Sequence, residues 1–382
     1  MTEKLYYKDS HIHEFEATVI GCEERKGGYA VILDRSAFFP EGGGQQGDSG
    51  YIAGVRVSDT HEKEGALHHY TESPLAVGEA VSCRIDYEQR RRRMQNHSGE
   101  HIVSGITNRL HGYNNVGFHM GEDCMTIDFD GELTWEQLME IESLANQAVR
   151  DNIPVQVSFP DAETLAALDY RSKLELTEDV RIVEIEGIDR CACCAPHVSM
   201  TGEVGIIKVM DAERHRGGVR ISLVCGMDAL DDYRKKQENA AAVSNLLSVK
   251  RNDIAKGVER ILNEQAKLKE RLAAVNMEYV KLKAESFAET SGNICVFDNA
   301  VDDVALRELV NLLMEKCSLA AAFSGSDSEG YRYIIGSKNI DLRANSKTIN
   351  AGISGKGGGS KEMIQGRAGG SAEEIRAFIE KM

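Results

Sequence analysis

RRRRMQNHSGEHIVSGITNRL, residues 90–110, and IDRCACCAPHVSM, residues 188–200, are the two stretches on which the reading of this chain turns. The first is free of proline and reads as one helix. Positions four apart lie on one face of a helix, so His97 and His101 project together and can reach a single ion. In the second stretch Cys193 and His197 bring a thiolate and an imidazole close together on another segment. The four residues form a Cys–His₃ donor set, a tetrahedral nitrogen–sulfur environment of the kind that Zn²⁺ takes. Either pair alone is weak, since H-x-x-x-H is more often two surface histidines than a metal site. Two further thiols, Cys191 and Cys194, could compete for the ion, and the spacing favours Cys193. Four protein ligands usually close a structural site, whereas catalytic zinc keeps one position open. The metal could still orient a substrate without activating water. Glu100 completes H-x-x-E-H, which invites comparison with an inverted zinc-protease motif. The Cys193 and His197 half would be superfluous in such a protease.

Outward from these motifs the pattern is α+β. Residues 1–85 hold short apolar or alternating runs, EATVIGC, YAVILD and VGEAVSCRI, separated by glycine-rich turns, and read as a small β-barrel or sandwich. Inside it lies PEGGGQ, from Pro40 to Gln45, where glycine lets backbone approach a ligand closely. This tract lacks the Lys-Ser/Thr of a phosphate-cradling loop. Residues 86–228 read as a mixed α/β, zinc-containing domain. A second helix is expected from Thr134, where Thr134 and Gln137 fit a capping box and Leu138, Ile141, Ala145 and Ala148 share a face. Residues 229–288 are rich in Lys, Glu, Ala and Leu. Ile254, Val258, Ile261, Gln265, Leu268, Leu272, Val275, Tyr279 and Leu282 follow steps of four and three, the signature of a coiled coil. A helix packed on its own domain, a helical hairpin and a dimer seam all fit that stripe, and a homodimer is the expectation. Residues 289–382 read as an α/β domain: strands ICVF, LAAAF and YRYIIG, a helix over DDVALRELVNLLMEKC, a glycine-rich tract, and a closing helix SAEEIRAFIEKM.

Composition narrows the function. The 382 residues carry a formal charge of −16, which argues against indiscriminate nucleic-acid binding, because Lys and Arg supply most of that affinity. An RNA partner must meet local basic patches. Arg90, Arg91, Arg92 and Arg93 form one candidate, Arg214, Arg216 and Arg220 a second. The third is the tract 331–370, where seven Lys or Arg, among them Lys356, Lys361 and Arg367, face two acids. A solvated helix face is the plain alternative for the arginine run, and a flexible loop for the glycine-rich tract. Nine cysteines without a disulfide-framework spacing suit a reducing cytoplasm. Neither a secretory leader nor a long apolar span is evident, so no membrane association is expected.

LDRSAFFPEGGGQQGDSG, IDYEQRRRRMQNHSGEHIVSG and IDRCACCAPHVSMTGEVGIIKV together resemble the editing domain of alanyl-tRNA synthetases and the free-standing alanyl-tRNA editing proteins of the AlaX type. NIDLRANSKTINAGISGKGGGSKEMIQGRAGG is similar to the DHHA1-type domain that follows a coiled coil in those synthetases. The resemblance implies an aminoacyl-tRNA hydrolase that cleaves serine, or glycine, from mischarged alanine tRNA. Because the chain starts directly at the barrel, it is expected to be unable to charge tRNA. Carried over by position, the family's metal ligands fall on His97, His101, Cys193 and His197, and the glutamine implicated in its editing pocket falls on Gln45. Two departures stand out. Cys193-Cys194-Ala195-Pro196-His197 replaces the common C-G-G-T-H, and Ser36 and Phe39 replace a common threonine and tyrosine.

Overall fold

Alternation of inward apolar and outward polar residues closes the first layer. In the strand Ala80–Ile85, Val81, Cys83 and Ile85 point inward while Ala80, Ser82 and Arg84 face out, the period-two pattern of a half-buried strand. A computed structural model describes residues 1–121, 123–172 and 180–382. In it, strands β1 (Glu14–Arg25), β2 (Gly28–Leu33), β3 (Gly50–Ile52), β4 (Val55–Lys63), β5 (Ala66–Thr71) and β6 (Ala80–Ile85) form a closed barrel in the order β1-β2-β5-β4-β3-β6. Closure comes from β1 pairing antiparallel with both β2 and β6. Val19, Val31, Leu33, Phe38, Ile52 and Val57 fill the interior.

The expected helix is α1 (Tyr87–His111), which ends at Gly112 with φ 73°, the left-handed C-cap that glycine adopts without steric cost. α2 (Trp135–Asp151) starts at Thr134 as the sequence indicates. The Thr134 hydroxyl accepts from the Gln137 amide, and the Gln137 carboxamide accepts from the Thr134 amide. Its stripe of Leu138, Ile141, Ala145 and Ala148 is buried, each large aliphatic residue contributing about 1.5–3 kcal/mol. That stripe and the α1 residues Met94, Ile102, Val103 and Ile106 share one core with a four-stranded sheet. The sheet has the order β10-β11-β8-β7, from β7 (Asn115–Met120), β8 (Met125–Phe129), β10 (Ile207–His215) and β11 (Gly218–Cys225). A separate antiparallel sheet includes β9 (Asp189–Ala192), which leads into the Cys193–His197 loop.

The chain forms two compact units, 1–239 and 240–382. α3 (Gly226–Leu247) crosses that boundary, and α4 (Ile254–Glu285) belongs to the second unit. α4 carries two apolar faces. Asn276, Val280 and Ala284 are buried, and the last two pack with the helix α5 (Asp303–Leu313). The heptad residues Val258, Ile261, Leu268, Leu272, Val275 and Leu282 are 41–67% exposed. The sheet of this unit has the order β12-β13-β14-β16-β15, from β12 (Asn293–Phe297), β13 (Leu319–Ser326), β14 (Gly330–Gly336), β15 (Gly355–Gly359) and β16 (Met363–Ala368). The glycine-rich tract is therefore not a flexible loop. Its residues pair as antiparallel strands, because glycine at the β15 edge admits the close approach of β16, as where a Cβ on Gly357 would fall 2.3 Å from the Gln365 carbonyl. Among the described residues no helix is long and apolar enough to cross a membrane.

Candidate metal centre

α1 is polar at positions that are buried all round. Gln95, Asn96, His97, Ser98, Glu100, His101 and Ser104 are each at most 5% exposed, so every one of them needs a partner. Those partners build the site. His97 Nδ1 donates to Gln45 Oε1 at 3.1 Å, His101 Nδ1 donates to Asp189 Oδ2 at 2.8 Å, and His197 Nδ1 lies 3.0 Å from the Ser98 hydroxyl. With all three Nδ1 atoms occupied, each histidine presents Nε2 to the common centre. The ligand atoms of His97, His101, Cys193 and His197 lie within 4.8 Å of one another.

The donor set fits a tetrahedral ion. Bond lengths of about 2.3 Å to sulfur and 2.05 Å to nitrogen at the tetrahedral angle require S···N edges of about 3.6 Å. The Cys193 Sγ–His97 Nε2 separation is 3.6 Å and Cys193 Sγ–His197 Nε2 is 3.3 Å. Burial alone would keep the Cys193 thiol protonated. The surrounding His97, His197 and His101 imidazoles overturn that, and the thiol sits well below its ordinary value, toward the thiolate form that binds metal. Burial pushes His197 down to about 3, which favours the neutral imidazole of a ligand. The other two thiols stand elsewhere. Cys194 is exposed, and Cys191 groups instead with His101 and Asp189, its thiol pushed up to about 11 by burial.

Gln45 is brought in by the glycine loop. Gly42 and Gln45 exchange backbone hydrogen bonds at 3.0 Å, and Gly43 and Gly44 take φ of 61° and 81°. A side chain at Gly44 would meet the Phe118 ring at 2.6 Å, so only glycine permits this approach. Gln45 is 1% exposed, and its Nε2 finds no acceptor among the described residues. The Cys194–Pro196 departure is stabilised from behind by Arg181, whose Nη1 donates to the carbonyls of Cys193 and Ala195 at 2.8 Å.

Sequence reading did not identify Asp189, Ser98, Arg171 or Arg181. Arg171 donates through Nε and Nη2 to the two oxygens of Asp189 at 2.7 and 2.8 Å, fixing the carboxylate that orients His101. Burial would raise Asp189, and His101 and Arg171 hold it below its ordinary value instead. A pocket of about 690 Å³ opens beside this pair, lined by Asn115, Arg171, Asp189, Arg190 and Cys191 among others.

Two of the arginines expected to contact RNA do not face solvent. Arg90 is fully buried and ion-paired with Asp48, and Arg93, 9% exposed, donates to the Gly47 carbonyl at 2.8 Å. They follow the buried inner side of α1, where a guanidinium persists only when paired. Arg92 is committed to Asp228 and Asp231 at 2.7 and 2.8 Å, and Arg91 alone of the four is exposed. Arg214 and Arg220 pair with Glu132 and Asp128. In the second unit Lys356, Lys361 and Arg367 are exposed, and strand register sets Arg332, Arg367 and Lys356 abreast on adjacent strands.

Residues 3–89 match the family model of class II (A) tRNA synthetases, and residues 180–261 match the second additional domain of threonyl and alanyl tRNA synthetases. The chain is 28% identical over 395 aligned residues, 98% of its own length and 96% of the relative's, to the alanyl-tRNA editing protein AlaX-L of Pyrococcus horikoshii. It is 26% identical to the mouse alanyl-tRNA editing protein Aarsd1, covering 95% of this chain and 93% of that one. It is 33% identical to an alanine–tRNA ligase of Halobacterium salinarum, of which it spans 38%.

Proposed function

From a chain that resembles alanyl-tRNA editing proteins of the AlaX type over nearly its whole length, we propose a zinc-dependent aminoacyl-tRNA hydrolase that deacylates alanine tRNA mischarged with serine or glycine, acting in trans. The observation that carries this reading is the buried convergence of His97, His101, Cys193 and His197 with Gln45 set against His97. In this reading residues 1–85 and 86–228 are the editing part, 229–288 coiled-coil helices and 289–382 a DHHA1-type domain. Zinc held by the four ligands would supply positive charge that polarises or anchors the substrate ester. Asp189, Ser98 and Gln45 hold the three imidazoles in the ligating tautomer. Gln45 spends Oε1 on His97, so its Nε2–H is a donor available to a substrate carbonyl or hydroxyl. A buried donor without a partner costs about 1–3 kcal/mol, and a substrate that satisfies it recovers that energy. A serine hydroxyl offers a polar group that alanine lacks, and polar recognition discriminates better than size.

Arg91, Lys356, Lys361 and Arg367 are the cations we assign to RNA contact, since they are exposed. The exposed heptad face of α4 supports a homodimer, with Leu268 and Leu272 in the seam. The closed four-ligand set favours a second reading, an RNA-binding protein whose zinc is structural. One assay separates them: purified protein with seryl- and alanyl-charged alanine tRNA should release serine and spare alanine. No release under conditions where a related editing enzyme works would refute the hydrolase. Mutating His101 and Cys193 together should abolish bound zinc, and retained stoichiometric zinc would refute the ligand assignment.

A further inference from the structure

Phe159 is the one exposed phenylalanine among the described residues, at 54%. A single apolar residue at the surface needs no explanation, but this one belongs to a row of rings. Tyr7, half-buried, lies 5.6 Å from Phe159 between ring centroids and 4.7 Å from Tyr6, which in turn lies 5.5 Å from Phe39. The row therefore runs from solvent inward to the residue that precedes Pro40 and the glycine loop. Two cations border its outer part. Lys4 Nζ and the Arg181 guanidinium stand 5.6 and 5.4 Å from the Tyr7 centroid, within the range of cation–π attraction, and Lys4 also pairs with Glu62.

The same row adjoins the metal centre. Ser158 pairs with Ile182 across the sheet, so the next residues out, Phe159 and Arg181, leave it at the same end. The Arg181 carbonyl accepts from the Cys193 amide at 3.0 Å, and its guanidinium donates to the Cys193 and Ala195 carbonyls. Tyr7 and Cys193 pack against one cluster, Tyr6, Phe39, Leu67 and Ala195. Cys193 is the least buried of the four ligands, and both Cys194 and Gly43 are exposed, with Cys194 Sγ 3.6 Å from where a Cβ on Gly43 would fall. The centre thus comes nearest to solvent on the side where the aromatic row reaches the surface.

We infer that Phe159 and Tyr7 form a stacking platform for the unpaired 3′-terminal nucleotides of the aminoacylated RNA. The inference rests on the hydrolase reading above, which supplies the single-stranded end. The ester to be cleaved sits on the last nucleotide, so the nucleotides just before it have to lie beside the metal centre. Unpaired bases present their π faces, and proteins that hold single strands stack them on aromatic rings with cations alongside. A paired stem buries those faces in its own stack and gains nothing from Phe159. Stacking also suits a chain of formal charge −16, which cannot rely on general attraction to phosphate. Phe159 is here a binding residue and takes no part in bond breaking.

The test uses the full chain and two uncharged RNA hairpins of the alanine acceptor stem, one with its unpaired 3′ nucleotides and one without. Phe159 is exposed, so F159A leaves the core intact. F159A should weaken binding of the tailed hairpin by about 5- to 150-fold, the loss expected for one stacked base, and leave binding of the blunt hairpin unaffected. F159W should retain the unmodified affinity. Trp135 is the single tryptophan, so in a W135F background the tryptophan of F159W reports by itself. The tailed hairpin should quench it and the blunt one should not. A loss smaller than about fivefold for F159A overturns the inference, as does an equal loss on both hairpins or an unquenched F159W. A changed sedimentation coefficient of F159A with unchanged RNA affinity overturns it too, and makes the patch a contact between copies of the chain. Because binding is read on uncharged RNA, the two readings fail separately. Tail-dependent binding that F159A reduces, with no serine released from seryl-tRNA by the unmodified protein, sinks only the hydrolase. Serine release with F159A binding intact sinks only the platform.

Discussion

Replacing Arg90 by methionine tests whether the arginine run is structural. Arg90 and Asp48 are 0% and 1% exposed in their side chains. Arg90 Nε donates to Asp48 Oδ2 at 2.8 Å, Nη2 to the same oxygen and to the Ala37 carbonyl at 2.7 Å, and Nη1 to the Ser10 carbonyl at 3.1 Å. Breaking a buried pair from one side costs about 3–5 kcal/mol, because the remaining charge stays unpaired. Asp48 retains the Phe39 amide at 2.8 Å and Arg93 at 3.6 Å, so the lower end, about 3 kcal/mol, applies. Asp48 also closes the base of the glycine loop, its own amide donating to the Phe39 carbonyl at 2.8 Å. The mutation therefore loosens the segment that delivers Gln45 to His97. The chain has a single tryptophan, Trp135, which lies in the first unit, so urea unfolding followed by its fluorescence reports the unit that contains the pair. R90M should lower that unit's stability by about 3 kcal/mol, and R90M with D48L should recover part of the loss through coupling of about 0.5–3 kcal/mol. RNA affinity of the folded fraction should be unchanged in R90M and reduced in R91A. An R90M midpoint equal to that of the unmodified protein, or a loss of RNA affinity at full folding, would refute this account.

His69 lies in the barrel interior, its Nδ1 donating to the Val31 carbonyl and its Nε2 2.8 Å from the Ser36 hydroxyl. Burial holds it down to about 4 from an ordinary 6.5. The unfolded chain therefore binds the proton first, so this stabilisation is complete above pH 6.5 and is lost as pH falls toward 4, a span worth about 3 kcal/mol at 1.36 kcal/mol per unit. Urea midpoints of H69Q should fall less between pH 7.5 and 4.5 than those of the unmodified protein, and parallel curves would sink the argument. Leu268→Glu with Leu272→Glu, placing charge on the exposed heptad face, should convert a dimer to a monomer in analytical ultracentrifugation with thermal stability nearly unchanged. An unaltered sedimentation coefficient would mean the seam lies elsewhere.

What could be read in advance was what depends on neighbours in sequence. The i, i+4 relation of His97 and His101, the Thr134–Gln137 capping box and the alternation of β6 follow from local geometry, and each stands in the structure as expected. Gln45 was named through the family resemblance, but that it, Asp189 and Ser98 would orient the ligands was not legible, because these partners come from far along the chain. Gln45 is 52 residues from His97, Asp189 is 88 from His101, and Ser98 is 99 from His197. The arginine run was misread for a related reason: a charged stretch at a helix start suggests a solvated face, and only the barrel packed against α1 makes Arg90 and Arg93 interior residues. Glycine spacing in 355–370 likewise does not distinguish a loop from a β-hairpin, since the deciding contact is the close approach of a neighbouring strand.

The burial of α1 on all sides connects these points to function. A helix with seven polar side chains inside a core is costly unless each is satisfied, and hydrogen bonds to charged groups contribute about 1.5–3 kcal/mol apiece only when geometry is held. The partners that satisfy His97, His101 and Ser98 lie on the barrel loop, on β9 and on the Cys193–His197 segment. The centre is thus assembled only when three elements distant in sequence meet. Loss of any one of them, as in R90M through the Gln45 loop, should free one imidazole to rotate before it unfolds the core. Metal affinity should therefore fall at denaturant concentrations below those that move Trp135 fluorescence. Coincident loss of metal and fluorescence would instead mean that the centre and the core of the first unit are one cooperative structure.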